Sequence, residues 1–246
     1  MKRENGLTLM QIEKWQDNWN ELGKEDPLWV VLTDPSRKGG KWTPAEFFAT
    51  GQQEISEVMA RAADVHPTLQ KGKALDFGCG VGRLSQALAT HFDEVHGVDI
   101  SPSMVGHAVR FNQFPDRCFF HVNGSERLEL FPDASFDFIY SNIVLQHIEP
   151  QYSKQYIAEF VRLLKPGGLL VFQILSATLL RRLVPDALVE RYRAAKNRGG
   201  AFIGMFGVPE AEVLSILDLA GGQILGSETR PNGRRWISHR HFVTKR

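Results

Sequence analysis

The stretch that most constrains this chain is Lys73–Arg83, which reads K-A-L-D-F-G-C-G-V-G-R. The apolar Ala74-Leu75 leads into Asp76-Phe77, and glycines then stand at every second position, at Gly78, Gly80 and Gly82. Residues 84–89 follow as good helix formers. The order is strand, tight turn, helix. Glycine lets a backbone turn sharply and lets a ligand approach it without an intervening side chain. In open α/β sheets the ligand lies in the crevice outside the carboxyl ends of the strands. The turn Gly78-Cys79-Gly80-Val81-Gly82 therefore predicts a nucleotide-like cofactor site.

The details of the turn favour one kind of cofactor. The dinucleotide fingerprint is G-x-G-x-x-G, with a pyrophosphate on the helix N-terminus. Here Arg83 takes the place of the third glycine, which falls one position early. Asp76, two residues before Gly78, would repel a pyrophosphate and suit a cationic ligand. S-adenosylmethionine carries a sulfonium, an ammonium and no phosphate. Downstream, Glu94-Val95-His96-Gly97-Val98-Asp99 reads as a second strand ending in an acid, 17 residues after Gly82. A carboxylate there accepts both ribose hydroxyls, and would serve NAD equally well.

Taken with Ile100-Ser101-Pro102-Ser103-Met104, the run from Leu75 to Asp99 resembles the class I S-adenosylmethionine-dependent methyltransferase family, over about residues 74–173. The resemblance implies a Rossmann-like α/β fold: a seven-stranded, mostly parallel sheet with helices on both faces and an antiparallel last strand. It implies S-adenosylmethionine as cofactor and Asp76, Gly78, Cys79, Gly80, Gly82, Asp99, Ile100 and Met104 as its contacts. Family members often carry an acid after the third strand that reaches the adenine amino group. This chain has Ser125 where an Asp is common and Glu126 beside it. Asn142, at the end of the fourth strand, falls beside the expected methyl position. His147, on the loop leaving that strand, is the candidate catalytic base. Methyl transfer is an in-line displacement at an already activated carbon, so positioning can supply much of the barrier reduction. The chain accordingly needs no nucleophile motif, and with no Cys/His spacing of a metal site, no metal is expected.

At 246 residues the chain suits one α/β domain with additions. We divide it into an N-terminal helical lid or extension, 1–72, and a methyltransferase domain, 73–246, in which 175–207 is an insertion covering the acceptor site. In 1–72, apolar residues at Leu9, Ile12, Trp15 and Trp19 have helical spacing, and Thr43-Pro44-Ala45-Glu46 is a capping-box helix start. Trp42, Phe47, Phe48 and Gly51 are the expected lid residues, because an N-terminal segment closes over the cofactor in many family members. Further strands are expected at about 117–122, 136–141 and 169–174, the last entered through Lys165-Pro166-Gly167-Gly168. A helix is expected over about 153–164. A final antiparallel pair, 223–229 and 236–244, is joined by a turn at Pro231-Asn232-Gly233.

Cys79 and Cys118 are the only cysteines, which argues against a disulfide framework and for a reducing, cytoplasmic setting. The first six residues lack the apolar core of a signal peptide, and no apolar run approaches the length of a membrane span. Three acceptor classes compete. A small-molecule or glycan hydroxyl is favoured, because a lid and an insertion would enclose a pocket. RNA or protein is suggested by the basic residues Arg181, Arg182, Arg191, Arg193, Lys196 and Arg198, and by those at the C-terminus. The net charge of +1 and the lack of an RNA-binding module rank nucleic acid lower. The third class is a nucleotide-binding protein without methyltransferase activity, such as an NAD-dependent oxidoreductase. The sequence carries no indication of oligomeric state.

Overall fold

The computed structural model describes residues 2–178 and 204–246, so most of the expected insertion lies outside the described residues. The described chain forms one seven-stranded sheet in the order β3-β2-β1-β4-β5-β7-β6. Its strands are β1 (Lys73–Phe77), β2 (Glu94–Asp99), β3 (Cys118–Val122), β4 (Phe136–Ser141), β5 (Leu164–Ala177), β6 (Gly222–Asn232) and β7 (Trp236–Lys245). β1 pairs in parallel with β2 on one side and β4 on the other, Leu75 lying opposite both His96 and Ile139. β7 runs antiparallel to β5 and β6. The order reverses between β1 and β4, and at such a switch point a crevice opens at the carboxyl ends of the strands.

Both faces of the sheet are covered, which explains the nearly continuous apolar runs of its central strands. On one face α3 (Pro44–Val65) and α4 (Arg83–Leu88) pack Ile55, Val58, Leu84 and Leu88 against Ala74, Val95, Phe138 and Phe242. On the other, α6 (Pro150–Leu163) and α7 (Glu210–Leu219) pack Ile157, Phe160, Val213 and Leu217 against Leu75, Ile139, Phe172 and Val243. Among the described residues the remaining α-helices are α1 (Lys2–Glu25), α2 (Pro27–Val31) and α5 (Pro102–Phe111). No helix among the described residues is long and apolar enough to cross a membrane.

Local chemistry sets the boundaries. Thr43 accepts a hydrogen bond from the Glu46 N–H, and Glu46 reaches back to the Thr43 backbone, so the capping box that starts α3 is complete. Ser101 caps α5 by accepting from the Met104 N–H at 3.2 Å. α6 begins at Pro150, earlier than periodicity predicted, because proline at the first helical position needs no partner for an N–H it lacks. β5 already pairs with β4 at Leu164, so Lys165-Pro166-Gly167-Gly168 lies within the strand rather than before it. The pairing register shifts between Phe136 and Phe138, and Lys165 Nζ holds the Asp137 carboxylate at 2.8–3.0 Å. At the far edge Pro231 and Asn232 are the last paired residues of β6, and the turn is Gly233–Arg235.

Candidate active site

A cavity of about 480 Å³ lies at the carboxyl ends of β1, β2 and β4, within the range of small-molecule sites. Its floor is the turn after β1. Gly78, Gly80 and Gly82 all have positive φ (77°, 53° and 83°), so each glycine takes a conformation that an L side chain rarely adopts. Gly82 is the left-handed N-cap of α4. The Gly78 and Cys79 N–H groups both donate to the Val98 carbonyl, which locks the turn to the end of β2.

Asp99 organises the second wall. Its carboxylate accepts from the Gly80 N–H and from the Ser101 N–H, both at 2.9 Å. One side chain thus fixes the glycine turn and the start of α5, and still presents lone pairs to the cavity it lines. Burial pushes its pKa up, against the pull of those backbone hydrogen bonds. Ile100, Met104, Asn123 and Glu126 continue this wall.

Of the residues expected at the cofactor, Gly78, Cys79, Gly80, Asp99, Ile100, Met104, Glu126 and Asn142 line the cavity, as does His147. Asp76, Gly82 and Ser125 do not. Asp76 is buried behind the turn, where its Oδ2 accepts from the Ser85 hydroxyl of α4 at 2.6 Å and its Oδ1 has no partner among the described residues. Burial raises its pKa to about 7, despite the Ser85 bond and the nearby Arg83 charge. Ser125 turns its carbonyl to the Tyr156 hydroxyl at 2.5 Å, leaving the cavity to Glu126.

The N-terminal segment lines the cavity with other residues than expected. Ile12, Trp15 and Trp19 of α1, and Val30 and Val31 of α2, face it. α1 is held there by polar clamps: Gln16 donates to the Ile100 carbonyl, and Asn20 receives the Ser103 N–H and hydroxyl, all at 2.9 Å. Trp15 packs edge-on against Tyr152, and Trp19 against His147. Trp42, Phe47, Phe48 and Gly51 do not line the cavity. Phe47 is fully buried in a cluster with Leu28, Val81 and Met104, onto which Trp42 and Phe48 pack, and Gly51 lies against the Arg83 backbone. Helical periodicity identified the apolar stripes of both segments, but which stripe faces the cavity depends on how α1 docks.

Glu54 is a site residue that the sequence reading missed. From α3 it receives Arg83 at 2.8 Å, the Tyr140 hydroxyl at 2.8 Å and the Asn142 side-chain amide at 2.6 Å. It thereby fixes Asn142 at the cavity wall and neutralises Arg83. Next to Asn142, Ile143 has φ 61°, a conformation unusual for a β-branched residue and of the kind concentrated at functional sites.

His147 sits on a short 3-10 turn, Leu145–His147. Its Nδ1 lies 2.6 Å from the Gly204 carbonyl, which can only accept, so Nδ1 carries the ring proton. Nε2 then holds the lone pair and takes a hydrogen bond from the Gln146 amide at 3.0 Å. Burial lowers the histidine's pKa below its ordinary value, leaving the ring neutral at pH 7.

Among the described residues, the charged ones lining the cavity are Arg83, Asp99 and Glu126, and Arg83 is already paired with Glu54. This lining, taken over the described residues, suits a cation better than a pyrophosphate. S-adenosylmethionine fits this donor set better than a dinucleotide does.

Comparison with known proteins agrees with this geometry. Residues 75–172 match the family model described as a methyltransferase domain. The chain is 34% identical over 129 residues to a malonyl-[acyl-carrier protein] O-methyltransferase of Herminiimonas arsenicoxydans, covering 52% of this chain and 46% of that protein. It is 30% identical over 165 residues to a ubiquinone biosynthesis O-methyltransferase of Coxiella burnetii, covering 65% of this chain and 58% of that one. The chain thus spans about half the length of the curated relatives it matches. Its fold is similar to the crystal structure of magnesium protoporphyrin IX methyltransferase from Synechocystis with bound S-adenosylhomocysteine. That match has a TM-score of 0.64 and 22% identity, and covers 95% of this chain and 99% of the other. Over residues 75–172 the chain is thus similar to a methyltransferase domain, and its fold is that of a methyltransferase crystallised with S-adenosylhomocysteine.

Proposed function

We propose that this protein transfers a methyl group from S-adenosylmethionine to an oxygen of a small-molecule acceptor, a glycan hydroxyl included. The observation that carries the reading is the cavity at the β1/β4 switch point, floored by the glycine turn and walled by Asp99. When bound, S-adenosylmethionine supplies an electrophilic methyl on a sulfonium. Gly78, Cys79 and Gly80 give its amino-acid part a backbone surface without side chains. Asp99 accepts the ribose hydroxyls, Ile100 and Met104 flank the base, and Glu126 takes the adenine amino group where many relatives use an earlier Asp. Asn142, held by Glu54, borders the reacting centre. His147 is the group at hand to accept a proton from an acceptor hydroxyl, through the Nε2 lone pair that Gln146 now holds.

A second, polar cavity of about 300 Å³ supports a small polar acceptor. It shares Asn142, Ile143, Gln146 and Asn232 with the first and adds Gln173, Glu228, Arg230, Ser238 and Arg240. An acceptor seated there would lie next to Asn142 and Ile143. The C-terminal cations that suggested a nucleic-acid face are partly engaged within the chain: Arg230 and Arg240 lie 3.8–3.9 Å from Glu228, and Arg246 lies 3.5 Å from Asp218. Two buried free thiols, Cys79 and Cys118, are in keeping with a reducing cytoplasm.

Calorimetric titration tests the cofactor assignment. S-adenosylhomocysteine should bind the wild type and NAD should not. Asp99→Ala should weaken the former by about 10- to 100-fold, the loss of charge-assisted hydrogen bonds worth roughly 1.5–3 kcal/mol. Unchanged affinity in the variant, or tighter binding of NAD, refutes the assignment. A screen of acceptors with labelled methyl donor then identifies the product.

A further inference from the structure

Away from the cavity, three side chains converge beneath the first turn of α7. His239 and His241 alternate along β7, on the face that α7 covers, and Glu210 opens that helix. One possible ligand atom from each lies within 4.8 Å of the other two. Each imidazole has one ring nitrogen engaged by a neighbouring serine. His239 Nε2 is 2.7 Å from the Ser176 hydroxyl, and His241 Nδ1 is 2.8 Å from that of Ser227. The other nitrogens are His239 Nδ1, which is 3.4 Å from both Glu210 Oε1 and the Thr229 hydroxyl, and His241 Nε2. His241 is fully buried, and its Nε2 has no hydrogen-bond partner among the described residues. An orphaned buried nitrogen is disfavoured unless something supplies a partner.

We propose that Glu210, His239 and His241 form a structural divalent-metal site of zinc type, which ties the start of α7 to β7. Two imidazoles and a carboxylate are a zinc donor set, with water available for the fourth position. The serines act as the outer hydrogen bonds that orient ligating imidazoles. Tetrahedral ligands about 2.0–2.1 Å from zinc lie about 3.3 Å from one another, so closing the cluster requires movement of about 1.5 Å at most. The exposed Glu210 side chain is free to make it. A second group, Glu94, His96 and His121, is arranged differently. Both ring nitrogens of His96 are spent in a relay, on His121 at 2.9 Å and Glu94 at 2.7 Å. The linear sequence hides the α7–β7 site because Glu210 and the histidines are brought together only by the packing of α7 on β7. The proposal departs from the expectation that no metal is held, and it is independent of the methyl-transfer reading.

The test uses the untagged full-length chain, stripped with a chelator and titrated with Zn²⁺ in competition with a colorimetric chelator. We expect one equivalent bound, a rise in melting temperature on binding, and two imidazoles in the X-ray absorption spectrum. Glu210→Gln, at an exposed position, should fold normally and weaken binding at least tenfold. His239→Gln should weaken it further, and His121→Gln should leave it unchanged. Absence of stoichiometric binding in the wild type overturns the proposal, as does unchanged affinity in Glu210→Gln or loss of the metal in His121→Gln. If His239→Gln fails to fold, Glu210→Gln alone decides the matter.

Discussion

Asp76 makes the buried chemistry of the glycine turn measurable through pH. Its carboxyl titrates near 7 in the fold, against 3.8 for an ordinary Asp, chiefly because burial penalises the charge. Between those values the native state holds more protons than the unfolded state, so stability falls as pH rises. The stabilisation of the protonated acid is complete below about pH 4 and is lost as pH passes through the folded pKa. Over the whole range the loss amounts to about 4 kcal/mol, and between pH 5 and pH 8 to about 2.5 kcal/mol. Asp76→Asn cannot ionise, so its stability relative to wild type should rise by that amount from pH 5 to pH 8, whatever constant offset the amide introduces. In melting temperature the gap should widen by about 5–10 °C, at about 2–4 °C per kcal/mol for a chain of this size. Urea titrations of both proteins at the two pH values, without ligand, provide the measurement. A gap that changes by less than about 0.5 kcal/mol shows that Asp76 ionises normally, and refutes the account of a carboxyl sealed behind the turn. Ser85→Ala sharpens the test. Losing the hydroxyl that lowers the pKa should move the wild-type transition to still higher pH.

Three further outcomes are expected. Gly80→Val should abolish S-adenosylhomocysteine binding while circular dichroism stays close to wild type, because φ is 53° there and a Cβ would meet Val31 at 2.9 Å; normal binding would show that the glycines serve turn geometry only. His147→Ala, once an acceptor is known, should slow single-turnover transfer a hundredfold or more at saturating ligands, and should remove the wild type's loss of rate at acid pH, which falls below the ordinary histidine range because burial lowers the pKa of the base; a loss under about threefold with normal acceptor binding would assign the histidine to pocket shape. Ile143→Gly should leave stability unchanged or raise it by about 1 kcal/mol in urea titration, because relief of the positive φ outweighs the loss of a side chain that is 41% exposed, and a drop of more than about 1 kcal/mol would show that the conformation carries no strain.

Much of this protein is written locally. The strand–turn–helix of Lys73–Arg83 is legible because only glycine accommodates three positive φ values in five residues, and the acid closing β2 is legible from its spacing to that turn. Capping chemistry likewise announces the starts of α3 and α5, since a cap is a contact between residues a few positions apart. What the tertiary structure alone decided depends on contacts across long separations. Glu54 reads as an ordinary helix acid until packing of α3 on the sheet brings it to Arg83, Tyr140 and Asn142. Asp76 reads as a ligand contact until α4 closes over it with Ser85. The tryptophans of α1, rather than the aromatics of α3, line the cavity because Gln16 and Asn20 fix α1 to the start of α5. Periodicity records that a helix has an apolar face, and only docking determines what that face meets.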